Sequence, residues 1–276
     1  MDLLIFIQSV VLGIVEGLTE FLPVSSTGHL ILAGDILNFD PAWADSFYIA
    51  IQAGAIVAVC WHYRVRLIAV VLNLFKPGRE QRLAVNIIAG FFPAAVLGAT
   101  LSSFVKSHFF NVFTVALALV AGGLLILWIE NRQARRNTPA RIREVDDMRV
   151  SDAFAVGCMQ CLALIPGTSR SGATIIGGLV LGLSRKAATE FSFFLAIPTI
   201  FGATVWDLWQ SRETLSVESL PAIAVGFVVS FVSAIVVVRW LLRYVSSNDF
   251  RVFGWYRIVF GIVILTAGYF GVGIAL

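Results

Sequence analysis

Charge is scarce in this sequence. Only 13% of its 276 residues are Asp, Glu, Lys or Arg, against 58% hydrophobic residues and a mean hydropathy of +0.88. No water-soluble domain needs that much apolar surface to fill one core, so lipid is the solvent for most of the chain. The formal charge of +3 offers no basic face, and a nucleic-acid partner is not expected. Cysteine is scarce too. Cys60, Cys158 and Cys161 lie in apolar sequence, and one CxxC with neither a second pair nor a nearby His reads as buried, inert thiols. The start of the chain lacks what a cleaved signal peptide has. Asp2 stands where a basic residue belongs and no small-residue cleavage site precedes Glu16, so the first apolar segment is read as retained.

What is present is length of apolar sequence. Stretches near 45–62, 84–104, 112–130, 187–208, 220–239 and 253–274 can each cross a hydrocarbon layer of about 30 Å, which takes roughly 20 helical residues. The expected architecture is an all-α polytopic membrane protein forming a single transmembrane domain over 1–276. The twenty Lys and Arg orient it by the positive-inside rule. Arg64, Arg66, Lys76, Arg79 and Arg82 follow the first crossing, and Arg132, Arg135, Arg136, Arg141, Arg143 and Arg149 follow the third. Arg239, Arg243, Arg251 and Arg257 surround the loop before the last. These sides are expected to be cytoplasmic. The loop near 105–111 holds only Lys106, and that near 210–219 only Arg212 beside Glu213 and Glu218, so both are expected outside.

The chain repeats itself. SFYIAIQ at 46–52 matches SFFLAIP at 192–198, and upstream of each lies an apolar segment broken by Pro, Ser, Thr and Gly: FLPVSSTGHLI at 21–31 and LIPGTSRSGATI at 164–175. Each half then reads as a re-entrant broken-helix hairpin followed by three crossings, an odd number that turns the second copy upside down. Repeat one covers about 1–130, a cytoplasmic loop about 131–150 and repeat two about 151–276. Helix breakers at membrane depth need protein or a wet cavity to satisfy the freed backbone groups, so the two tips should meet near the midplane. Both termini then lie outside, and the site opens there.

The unusual residues gather at those tips. Glu16 and Glu20, four apart on one helix, share a face and repel unless something cationic joins them. Ionisable groups in a spanning segment cost roughly 2.5–3.5 kcal/mol or more each and usually face a cavity, a partner or an ion. Ser25, Ser26, Thr27 and His29 follow at the first break, whose second arm starts near Thr27 with amides that favour anions. Plain capping by Ser and Thr would explain the hydroxyls alone. The second break supplies Thr168, Ser169, Arg170 and Ser171, and Arg170 is the one basic residue expected at the midplane. Its fork suits phosphate oxygens, and a salt bridge with Glu16 or Glu20 is compatible with that before substrate arrives. Gln160 and Glu190 are candidates for a supporting role, although Glu190 is close to Arg185 and Lys186. A carboxylate pair, a hydroxyl, an imidazole and a guanidinium fit phosphoryl transfer with a divalent cation. Magnesium is expected first and calcium second, held through Glu16 and Glu20, while one histidine makes zinc a poorer fit.

The motifs EGLTEFLPVSSTGH at 16–29 and PGTSRSGATI at 166–175 resemble those of the undecaprenyl-diphosphate phosphatase family associated with bacitracin resistance. The likeness runs the length of the chain, including TEFSF at 189–193. It implies hydrolysis of undecaprenyl diphosphate to the monophosphate carrier reused in envelope synthesis, in a bacterial inner membrane, at a site reached from the outer face. Residue by residue it puts the family's acidic pair on Glu16 and Glu20, its serine on Ser26, its histidine on His29 and its arginine on Arg170. Attack by Ser26 with His29 managing its proton, and attack by water with His29 as base, both fit the sequence. The rival from another class is a transporter or flippase of a polyprenyl phosphate or other anionic substrate, since broken helices in inverted repeats are a transporter plan. Small residues such as those of VALALVAGG at 115–123 and GFFPAAVLGA at 90–99 suit close helix contacts within one chain or in a homodimer.

Overall fold

The computed structural model of the chain describes residues 2–136, 139–210 and 219–269. These form α1 (Leu3–Thr19), α2 (Ser26–Ile36), α3 (Ala44–His62), α4 (Arg64–Leu72), α5 (Arg79–Phe109), α6 (Val112–Arg136), α7 (Val150–Gln160), α8 (Arg170–Val180), α9 (Arg185–Gln210), α10 (Leu220–Tyr244) and α11 (Arg251–Tyr269). Six of them, α3, α5, α6, α9, α10 and α11, are long and apolar enough to cross a membrane, and they are the six expected. Pro93 and Pro198 sit inside α5 and α9 without ending them. Arg212, Glu213 and Glu218 of the expected outer loop lie outside the described residues.

The other apolar segments are short because their sequence breaks them. At 11 residues each, α2 and α8 reach about 16 Å, half a bilayer. Pro23 ends the first arm of one hairpin and Pro166–Gly167 that of the other, since proline offers no N–H to the preceding turn. Gly167 takes φ +89°, which glycine tolerates. Ser25 and Ser169, the residues before α2 and α8, adopt the same uncommon conformation, φ 71° and 72°. Both segments fold back on themselves. Gln8 Nε2 donates to Leu37 O at 2.8 Å, tying the start of α1 to the end of α2. Arg141 donates to Asp152 (2.7 Å) and to Leu181 O (3.0 Å), doing the same for α7 and α8.

Around the hairpins, α3 lies along α10, α6 along α11, α1 along α10 and α5 along α7. Three readings of the sequence are corrected here. Arg257 does not belong to a basic loop: it stands in the second turn of α11, 1% exposed. Arg170 is therefore not the one buried cation between the hairpins. Four carbonyls hold the Arg257 guanidinium, those of Pro23 (3.1 Å), Gly167 (3.0 Å), Ala118 (3.1 Å) and Leu119 (3.3 Å), so hydrogen bonding replaces a carboxylate partner. The cysteines are not buried either. Cys158 is exposed on α7, Cys60 and Cys161 are partly exposed, and all three are free thiols on helix faces that an apolar solvent tolerates.

Because Arg257 meets both breaks at once, Arg257→Met should leave the buried carbonyls of Pro23 and Gly167 without their donor, while those of Ala118 and Leu119 keep their bonds within α6. A cost of about 2–3 kcal/mol or more is expected, read as a lower unfolding midpoint of purified protein in detergent. An unchanged midpoint would rule out this bracing role.

Candidate functional site

The tips of the two hairpins meet, and the polar residues between them form one network. Ser171 Oγ donates to Leu22 O at 2.7 Å across the junction. Glu20 is 5% exposed, and each of its oxygens has its own partner. Ser26 Oγ donates to Oε2 at 2.6 Å, while Nε and Nη2 of Arg170 both approach Oε1 at 3.4 Å. A third Arg170 nitrogen donates to Ser192 O at 3.0 Å. The salt bridge weighed from sequence is thus present, long, and forked onto a single oxygen.

Glu16, one turn before Glu20, is 1% exposed, and its Oε1 has no hydrogen-bond partner. An orphaned carboxylate oxygen beside a second carboxylate is the donor set a hard divalent cation seeks. Among the described residues no three His, Cys, Asp or Glu side chains come together, so an ion here would lean on two carboxylates and draw its other ligands from water or phosphate.

His29 stands on α2 one turn beyond Ser26 but bonds elsewhere. Nδ1 is 2.7 Å from Ser25 O and Nε2 is 2.6 Å from Tyr256 Oη, and the ring stacks on Phe260 with centroids 4.1 Å apart. A carbonyl only accepts, so Nδ1 carries the proton. Nε2 is then the lone-pair nitrogen to which Tyr256 donates.

The remaining candidates divide. Ser25 is buried and serves through its carbonyl, whereas Thr27 is exposed. Ser169 Oγ accepts from Gly172 N at 3.1 Å, capping α8, and lies 3.1 Å from Ser171 Oγ. Thr168, partly buried, donates its backbone N–H to Ile165 O. Gln160 bonds Thr199 instead of the Glu20 network. The charged neighbours of Glu190 are Lys186, Arg66, Glu144 and Asp146, a separate cluster. Sequence reading passed over Tyr256, Phe260, Arg257 and Ser192. The repeat did carry a signal for the last, since Ser192 opens SFFLAIP.

The His29 tautomer is open to direct measurement. Nitrogen NMR of the labelled ring should show a protonated Nδ1 and a bare Nε2, and Tyr256→Phe should move the Nε2 resonance while leaving Nδ1 in place. A protonated Nε2 in the unliganded protein would overturn the assignment.

Comparison with known proteins extends the picture from these residues to the whole chain. The family described as bacitracin resistance protein BacA matches residues 9–263. A Ralstonia nicotianae protein named undecaprenyl-diphosphatase is 52% identical over 285 residues, covering 98% of this chain and 97% of its own. Undecaprenyl-diphosphatase 2 of Rhodospirillum rubrum is 55% identical over 272 residues, covering 98% of each chain. Undecaprenyl-diphosphatase of Nitrosomonas europaea is 54% identical over 271 residues, covering 98% of this chain and 97% of its own.

Proposed function

The chain belongs to the bacitracin resistance protein BacA family, and we propose that it is a multi-pass membrane phosphatase that hydrolyses undecaprenyl diphosphate to undecaprenyl phosphate and inorganic phosphate. The observation that carries a mechanism is the division of Glu20 between Ser26 and Arg170. A hydroxyl already hydrogen-bonded to a carboxylate is a nucleophile with its base in place. Ser26 Oγ bonds to the terminal phosphorus as its proton passes to Glu20 Oε2. The bond from that phosphorus to the bridging oxygen breaks, and its electron pair leaves on undecaprenyl phosphate. Water then opens the phosphoserine: Ser26 recovers its proton from Glu20, and the proton of the water goes to Nε2 of His29 once substrate has displaced Tyr256. Arg170, whose contacts with Glu20 are 3.4 Å long, turns Nε and Nη2 to the phosphoryl oxygens while Nη1 stays on Ser192 O.

In this assignment the base for Ser26 is Glu20, while His29 serves the water. Glu16 and Glu20 would hold a divalent cation, magnesium before calcium, which when bound neutralises charge on the diphosphate oxygens. Among the flanking hydroxyls, Ser25, Thr27, Thr168, Ser169 and Ser171 are assigned to the phosphate-binding walls, with Ser171 also joining the tips.

We further assign the two halves to inverted-topology repeats in a bacterial inner membrane, with both termini and the site opening on the outer side. Three observations support this reading. The hairpins share the φ of Ser25 and Ser169 and the length of their second arms. The base of the first, at Gln8 and Leu37, adjoins the start of α3. The base of the second is tied to the far end of α3 through the ion pair of Arg66 with Asp146.

Phosphate release from undecaprenyl diphosphate by purified protein in detergent tests the function. Ser26→Ala, Glu20→Ala, His29→Ala and Arg170→Ala are each expected to lower the rate by about 10²–10⁴, and EDTA to abolish it. Well-folded protein that binds the lipid but releases no phosphate would favour the transporter. An active Ser26→Ala variant would replace the phosphoserine with direct attack by water.

A further inference from the structure

Away from the catalytic tips, at the end of the molecule where α3 hands over to α4, lies a cavity of about 390 Å³. That is the size of a small-molecule site. Its polar lining comes from His62, Tyr63, Arg66, Arg79, Glu80 and Asp146. Its charges include the ion pair of Arg66 with Asp146 and that of the adjacent residues Arg79 and Glu80 (2.8 Å). The Arg66 guanidinium also lies over the Phe194 ring, 5.2 Å from its centroid, so an apolar floor fixes its position.

The rim of the cavity says where the ligand comes from. Val65 belongs to the lining and is 75% exposed. With Ile68, Leu72 and Phe75 it forms an apolar stripe at helical spacing along α4 and just beyond, every member exposed and flanked by Arg64 and Lys76. That pattern suits a helix lying in the membrane interface with its apolar side toward acyl chains.

We propose that this cavity binds the headgroup of a phosphoethanolamine phospholipid whose acyl chains lie along the α4 stripe. The balance of charges selects this headgroup. A purely anionic ligand would take the guanidinium groups and set its own charge beside the carboxylates of Asp146 and Glu80. A zwitterionic one sets its phosphate toward Arg66, Arg79 and His62 and its ammonium toward Asp146 and Glu80, and gives each of these charges a partner. A choline headgroup has the same charges but no N–H to donate to the carboxylates.

Native mass spectrometry of the full chain in detergent, titrated with phosphatidylethanolamine, phosphatidylcholine and phosphatidylglycerol of matched chains, tests the proposal. The ethanolamine lipid should be retained about tenfold more tightly than either of the others. Arg79→Gln should weaken that retention about tenfold without lowering the unfolding midpoint of lipid-free protein, because its side chain is exposed and pairs with the adjacent Glu80. Asp146→Asn should erase the preference over phosphatidylglycerol. Equal retention of the three lipids, a preference for phosphatidylglycerol in the unmodified chain, or retention indifferent to Arg79→Gln would each overturn it. No residue of the cavity belongs to the phosphoryl-transfer network, so the result stands apart from phosphatase activity.

Discussion

A helix that stops inside an apolar layer strands its last carbonyls and the next helix's first amides where no water can reach them. This chain stops twice, at Pro23 and at Pro166–Gly167, and the rest of its interior is arranged around making those stops tolerable. Arg257 does most of it. One guanidinium donates to Pro23 O and Gly167 O, the two breaks themselves, and to Ala118 O and Leu119 O on α6. A charge buried to 1% exposure without a carboxylate is costly, but carbonyl dipoles from four directions take the place of hydration. Gly122 of α6 leaves the room this requires, since a Cβ there would come within 2.7 Å of the guanidinium carbon.

Once the tips are pinned, the chemistry follows from where their side chains fall. Glu20 comes from the first hairpin and Arg170 from the second, so their contact exists only because the two breaks meet. Ser26, at the start of α2, then shares Glu20 with a residue far away in sequence. The backbone serves the same end: a positive φ at Ser25 and Ser169 turns the chain sharply enough for α2 and α8 to start beside the arm that precedes them. The strain of two non-glycine residues in that region is held in place by the surrounding hydrogen bonds, as is common where a site is built.

The ion pairs elsewhere have a different character. Arg66 with Asp146, Arg141 with Asp152 and Lys186 with Glu144 all include a partner at least a third exposed, where solvent screens the attraction and each is worth little. Glu130 differs in being fully buried itself, although its partner Arg185 is 34% exposed. It takes Arg185 and the backbone N–H of Phe250, fastening α6 to the starts of α9 and α11. Fold stability and site chemistry therefore use separate charges.

The sequence by itself determined the membrane, the six crossings, the two breaks and the residues at their tips, because each is written in local order: runs of apolar residues, prolines at fixed places, carboxylates one helical turn apart. Even the meeting of the tips was legible, since freed backbone groups in lipid need protein partners. Only the tertiary structure decided who pairs with whom. Arg257 looked like one more basic residue near a loop, and nothing in its neighbours reveals that α11 carries it against both breaks. Tyr256 is a further case, an interfacial-looking aromatic until α11 sets it on His29. Gln160 and Glu190 looked like support for the site and were drawn to Thr199 and to a basic cluster. Hydrogen-bond partners are chosen by distance in space, and hydropathy and motif spacing carry no record of which helix lies beside which.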